Sequence, residues 1–236
     1  MNFKERFATQ DWSAITASLH EKGFALIRGV LTTEECTFFQ ASYDHSGGYR
    51  KVVIMERYRF GKGAYKYFRY PLPEPLAAIR THLYPYLVPV ANSWFKALEI
   101  DMQFPANHSE LLAQCHVHQQ LEPTPLILKY DAGGYNTLHQ DLYGLIYFPI
   151  QAVFMLSQPG TDFTGGEFVL TQQIPRSQSR AIVLQPEQGD LLLFTTNFKP
   201  VKGTKGYYRV NMKHGVSEVR DGTRYTLGII FHDALS

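Results

Sequence analysis

From residue 123 to its end, the chain is a series of short apolar runs cut by glycine, proline or Asp-Gly. The runs fall at 126–130, 138–142, 151–157, 167–171, 181–185, 191–195, 207–214 and 224–232. Each is too short for a stable helix, and together they predict strands. Eight strands with no helix between them exclude a parallel α/β sheet. They predict two antiparallel sheets packed as a jelly roll.

The first 122 residues read as mixed helix and strand. Asp11-Trp12-Ser13 starts a helix that carries Ile15 and Leu19 and stops at Gly23, and a short strand follows at 24–30. Thr32-Thr33-Glu34-Glu35 resembles a capping box. The helix it opens carries Cys36, Phe38 and Phe39 and is ended by His45-Ser46-Gly47-Gly48. Apolar residues then recur at helical spacing from Leu76 to Leu98, and Pro85 and Pro89 within this stretch predict a break or kink. A short helix is expected at 109–119. No repeat or linker divides the chain. The expectation is one α+β domain spanning 1–236: a mostly helical elaboration at 1–122, bracing a double-stranded β-helix core at 123–236.

The formal charge of +2 is too small to imply nucleic acid by itself. Cys36 and Cys115 make no disulfide framework, and no apolar run is long enough to cross a bilayer. The first dozen residues lack the apolar stretch of a secretory signal, so a cytoplasmic location is expected.

The chemistry sits in four side chains. His139-Gln140-Asp141 opens the strand series, and on a strand residues two apart share a face. His214 comes far downstream, with Arg224 ten residues later. Two histidines and one carboxylate make the facial ligand set that suits Fe(II) and leaves positions open. Arg224, expected on a strand beside that of His214, is placed to grip the far carboxylate of 2-oxoglutarate with two parallel hydrogen bonds. Thr226 and Tyr130 are candidates for the same carboxylate. Taken singly, an H-x-D tripeptide is ordinary surface and His214 an ordinary histidine; the combination carries the reading. Cys115-His116-Val117-His118 lacks a partner pair at zinc spacing and reads as structural, and His232 reads as packing at the barrel end.

These residues resemble the Fe(II)/2-oxoglutarate-dependent oxygenases. The match runs in motif order through Tyr130, His139-x-Asp141, Gly165-Gly166-Glu167, the Gly189–Phe194 strand, His214 and Arg224-x-Thr226. A narrower resemblance covers 60–68, 123–126, 138–144 and 224–234. These segments are similar to a bacterial oxygenase family associated with oxidative demethylation of damaged nucleic acid and related to the AlkB-like demethylases. The resemblance implies Fe(II), 2-oxoglutarate and dioxygen as cofactor and co-substrates, and release of succinate and carbon dioxide. Two departures stand out: Ile230 occupies the place of the AlkB-like second arginine, and the histidine-to-arginine interval is shorter.

The window at 49–70 bears on substrate. It holds Arg50, Lys51, Arg57, Arg59, Lys62, Lys66 and Arg69, interleaved with Tyr58, Phe60, Tyr65, Tyr67, Phe68 and Tyr70. Cations with aromatic faces are the composition of a single-strand nucleic-acid groove, with Arg57, Arg59, Lys62, Tyr65, Lys66 and Tyr67 as the contact candidates. The plainer reading is a solvated strand pair whose aromatics pack on the barrel. A second basic stretch holds Lys199, Lys202, Lys205, Arg209 and Lys213 without an acid. Two other functions fit the residues. One is hydroxylation of a protein side chain or small molecule. The other is a jelly-roll metal-binding module without turnover, which has no use for Arg224.

Overall fold

A computed structural model describes every residue except Ser46, which lies within the expected turn at 45–48. Five helices form in the first half: α1 (Phe3–Ala8), α2 (Trp12–Lys22), α3 (Thr33–Ser42), α4 (Glu74–Ala97) and α5 (His108–Val117). Their ends follow local chemistry. Asn2 and Thr32 each make a full capping box, with Glu5 and Glu35, and α2 stops where Gly23 turns left-handed at φ 81°.

Of the break or kink that the sequence predicted, the break is absent: α4 runs through both prolines as one helix. Pro85 and Pro89 both lie on its exposed side, where water can take the carbonyls they leave unpaired. The opposite side buries Leu83, Leu87, Ala91, Trp94 and Phe95, and that packing holds the helix continuous.

The first half also supplies four strands: β1 (Phe24–Ile27), β2 (Tyr49–Ile54), β3 (Gly61–Lys62) and β4 (Ala64–Phe68). The second half supplies β5 (Leu126–Asp131), β6 (Tyr135–His139), β7 (Ile150–Met155), β8 (Phe163–Gly165) and β9 (Phe168–Gln173). It continues with β10 (Arg180–Leu184), β11 (Leu191–Thr195), β12 (Phe198–Gly203), β13 (Gly206–Val216) and β14 (Val219–Ile229). All eight expected strands are present within a few residues, and β8 and β12 were not anticipated.

The strands form two antiparallel sheets. The major one runs β1-β11-β7-β14-β5-β4-β2, with β8 added on β14. The minor one runs β10-β9-β13-β6-β3, with β12 added on β13. The N-terminal half therefore does more than brace the barrel: β1 pairs β11 and β4 pairs β5, extending the major sheet at both sides. The helices cover that sheet's outer face, and one apolar cluster joins Phe3 and Phe7 through α4 to Phe154 and Phe231. The inner faces of the two sheets enclose the site.

Candidate metal and 2-oxoglutarate centre

Between the sheets lies a cavity of about 250 Å³. The major sheet lines it with Leu128, Tyr130, Arg224 and Thr226, and the minor sheet with His139, Phe168, His214 and Val216. His139, Asp141 and His214 converge at one end, their ligand atoms all within 4.8 Å of one another. Among the described residues no other such cluster of three occurs.

Each member is held by its own partners. His139 is the last residue of β6 and pairs directly with His214 on β13. Its Nδ1–H donates to the Thr137 carbonyl at 2.7 Å, which turns Nε2 toward the cluster. His214 Nε2 lies 3.2 Å from Asp141 Oδ2, and His139 Nε2 lies 3.6 Å from Asp141 Oδ1. Phe168 stacks parallel to the His214 ring at 6.0 Å and Phe194 packs against it at 4.8 Å, fixing the imidazole plane.

Asp141 arrives by a different route from the one its spacing suggested. The strand ends at His139, so Asp141 sits in the following loop and not on a shared strand face. Thr196, just past β11, replaces the missing ladder: its hydroxyl accepts from the Asp141 N–H at 3.2 Å and donates to the Asp141 carbonyl at 3.1 Å. Gln140 ties the same loop to the Asn197 and Met212 carbonyls. Burial alone would raise the Asp141 pKa, but the His214 hydrogen bond, both histidine charges and a tyrosine hydroxyl hold it well below the carboxylate range.

That tyrosine is Tyr143, which the sequence reading missed. Its hydroxyl donates to Asp141 Oδ1 at 2.6 Å and accepts from Tyr67 at 3.3 Å. Burial and then the Asp141 charge push the Tyr143 pKa far up, so it stays a donor. Its place two residues after Asp141, in the Leu142-Tyr143-Gly144 segment, was the only sequence signal.

Across the cavity stands Arg224, 1% exposed. It is not on a strand beside His214, as expected: β13 belongs to the minor sheet and β14 to the major one. The ten-residue interval thus crosses from one sheet to the other and sets the two side chains face to face. Arg224 pairs in register with Tyr130, and its guanidinium lies 5.5 Å from that ring and 5.9 Å from Phe163. Two glycines permit this packing: a Cβ on Gly166 would meet the Arg224 side chain at 2.9 Å, and one on Gly63 would meet the Tyr130 ring at 2.8 Å.

Among the described residues, Arg224 Nε and Nη1 are buried without a hydrogen-bond partner, and so is His214 Nδ1. Burial draws the guanidinium pKa down to about 10, against the opposing pull of Tyr130 and Glu167, so it stays cationic at neutral pH. Buried N–H groups of a cation left without hydrogen-bond acceptors are costly, and a bound carboxylate would supply what they lack. Thr226 lines the same wall, two residues on. Tyr130 is fully buried, and its hydroxyl accepts from Asn136 at 3.3 Å. The donor set at one end and the unpaired guanidinium at the other fit Fe(II) and 2-oxoglutarate.

The basic–aromatic window divides in two. Arg57, Arg59 and Lys62 are exposed on the turn and edge strand that also carry Phe60. Tyr65 and Phe60 line the cavity. Lys66 is no free cation: its ammonium donates to the Tyr43 carbonyl at 2.6 Å and lies over the Tyr43 ring at 4.0 Å. Tyr67 is buried under the Arg50 guanidinium and serves the Tyr143 hydroxyl, so it offers no face to a ligand. Strand alternation explains the split, since Lys66 points to the side opposite Tyr65 and Tyr67. His232 is buried at the barrel end as expected, its Nδ1 accepting from the Phe148 N–H. Cys115 is buried with a free thiol on α5, while His116 reaches Asp233.

Comparison with known proteins agrees with this geometry. Residues 63–234 match the sequence model of a family described as an oxygenase catalysing oxidative methylation of damaged DNA. Two uncharacterized proteins from strains of Mycobacterium tuberculosis are 44% identical over 167 residues, covering 71% of this chain and 72% of each relative. An oxidoreductase of the 2-oxoglutarate–Fe(II) oxygenase family from Burkholderia pseudomallei has a similar fold, with TM-score 0.52, 14% identity and coverage of 96% and 93%. A prolyl hydroxylase from Trichoplax adhaerens, solved with a peptide of hypoxia inducible factor, gives TM-score 0.54, 15% identity and coverage of 96% and 89%. Since the family match spans well over half the chain and includes His139, Asp141, His214, Arg224, Thr226 and Tyr130, the protein belongs to this oxygenase family, and its His-Asp-His cluster is a ligand set that suits Fe(II).

Proposed function

We propose that the chain oxidatively demethylates alkylated bases in single-stranded or unpaired nucleic acid, using His139, Asp141 and His214 as iron ligands. Arg224, with Thr226 and Tyr130, holds the distal carboxylate of 2-oxoglutarate. When bound, the iron and co-substrate supply C–H hydroxylation: one dioxygen atom leaves in succinate, the other enters the methyl group, and the hydroxymethyl product splits to formaldehyde and free amine.

The protein's own part is positioning and dryness. Arg224 fixes one end of the co-substrate, so its reactive end faces the triad. Met55, Tyr65, Leu128 and Val216 line the cavity with apolar surface and keep water from the reacting centre. Tyr143 donates to one carboxylate oxygen of Asp141 and so orients the carboxylate that would hold the iron.

The observation that carries the substrate class is the rim. Tyr58 and Phe60 stack at 5.5 Å with 20° between planes, remain 56% and 44% exposed, and stand among Arg57, Arg59 and Lys62. Phe60 also reaches the cavity wall. A stacking platform with phosphate-binding cations beside a buried site suits a base drawn out of its strand. The family description points the same way. The test is succinate and formaldehyde release by Fe(II)-loaded protein, with and without methylated single strands. Stoichiometric formaldehyde supports the reading; strand-independent succinate turns the search to a protein or small-molecule substrate.

A further inference from the structure

The near-neutral total charge hides a strong polarity. Residues 168–185 and 195–217 build β9, β10, β12 and β13 with their connecting turns. They contain seven of the 23 lysines and arginines and none of the 21 acids, so the rest of the chain is net negative. Lys199 is buried and donates to the Glu21 carbonyl. The other six, Arg176, Arg180, Lys202, Lys205, Arg209 and Lys213, are exposed. None of the six forms a salt bridge or a side-chain hydrogen bond among the described residues.

Strand alternation gathers part of this charge on one face. On β13, Val210, Met212 and His214 turn inward, while Arg209, Asn211 and Lys213 turn out to solvent with Tyr207. Register sets Lys202 opposite Tyr207, and Asn211 and Lys213 beside Gln173 and Thr171 of β9. The Arg209 guanidinium lies over the Phe198 ring at 5.1 Å, which holds it in place with its N–H edge available. The face is therefore the back of the sheet whose front carries His214.

We infer that this outer face of the minor sheet is a second contact surface, which takes the phosphate backbone of nucleic acid. The inference extends the nucleic-acid reading and rests on it. Exposed cations that form no salt bridge retain counter-ions that a polyphosphate would release. Polar neighbours such as Asn211, Gln173 and Thr171 suit phosphate and sugar, whereas a protein interface calls for an apolar centre, and the exposed apolar residues of these segments, Ile174, Val183 and Tyr207, are spread over three different strands or turns. The contact reads no sequence. It holds a strand to the enzyme while the rim selects the base.

The test compares metal-loaded wild type with the triple variant Lys202→Ala, Lys205→Ala, Arg209→Ala, outside the catalytic machinery. Anisotropy titrations use a labelled single strand of about 20 nucleotides across about 50 to 300 mM KCl. The expected result is at least a tenfold loss of affinity, with the log–log salt slope smaller by about 2, near 0.7 per lost phosphate contact. Basal succinate formation stays unchanged, and a methylated trinucleotide, too short to reach the face, is turned over as before. Equal affinity and slope in the two proteins would overturn the inference, as would equally effective competition by polyglutamate of matched charge. Strand binding lost in the triple variant, with no turnover on any methylated strand, would support the surface and remove the demethylase reading. Failure of the wild type to bind any strand would remove both.

Discussion

Arg224 offers a test in which two measured quantities move in opposite directions. The guanidinium is 1% exposed, and its Nε and Nη1 have no hydrogen-bond partner among the described residues. Replacement by methionine keeps the volume and removes the charge. Two charge-assisted hydrogen bonds to a carboxylate contribute about 1.5–3 kcal/mol each, part of which the free carboxylate recovers from water. A net loss of about 3–4 kcal/mol raises the 2-oxoglutarate Kd by roughly 100- to 1000-fold. The protein without co-substrate should behave the other way. It no longer buries an unpaired cation, so a gain of about 1 kcal/mol should lift Tm by about 2–4 °C. Calorimetric titration of 2-oxoglutarate into Mn(II)-loaded protein reads the first quantity, and scanning calorimetry of metal-free protein reads the second. Metal affinity should stay within about threefold, since Arg224 faces the cavity from the other sheet. A Kd that moves less than about fivefold, or a lower Tm, would refute the clamp.

Four further outcomes are expected. Tyr143→Phe removes the 2.6 Å hydrogen bond to Asp141 and should raise the Fe(II) Kd about tenfold with an unchanged circular dichroism spectrum. Tyr67→Phe, which loses only a 3.3 Å contact one step further out, should change it far less in the same anaerobic titration. Tyr58→Ala should raise KM for a methylated strand by about 10-fold or more, the loss of one base–aromatic stack, with little change in kcat at saturation. His108 and His232 are held neutral, with pKa values of about 3, by burial and then the Arg80 charge. Unfolded, they take protons near 6.5, so stability is full above that pH and falls as pH drops from about 6.5 toward 3, by up to about 1.4 kcal/mol per pH unit for each. A plot of Tm against pH should show this fall, and His108→Gln should flatten it.

What was legible in the sequence follows physical lines. The strands of the second half were readable because alternation and turn residues are local signals. The triad and Arg224 were readable as residue types at characteristic intervals. Their arrangement was not. Asp141 follows a strand that ends two residues earlier, and the contact that fixes it comes from Thr196, 55 residues away. Arg224 faces His214 because the chain changes sheets between them, which no interval reveals. In the 49–70 window, composition gave cations and aromatics but not their sides. Lys66 is spent on Tyr43, and Tyr67 on the wall behind Asp141. The helix through Pro85 and Pro89 survives because both rings face solvent, a matter of tertiary packing that the sequence periodicity did not settle.

The most direct measurement is a crystal structure of the protein with Mn(II) and 2-oxoglutarate under anaerobic conditions, the metal located by anomalous scattering. The account expects one ion between His139 Nε2, His214 Nε2 and the Asp141 carboxylate, with the distal carboxylate of 2-oxoglutarate on Arg224. An ion outside that cluster, or a co-substrate whose distal carboxylate makes no contact with Arg224, would contradict it.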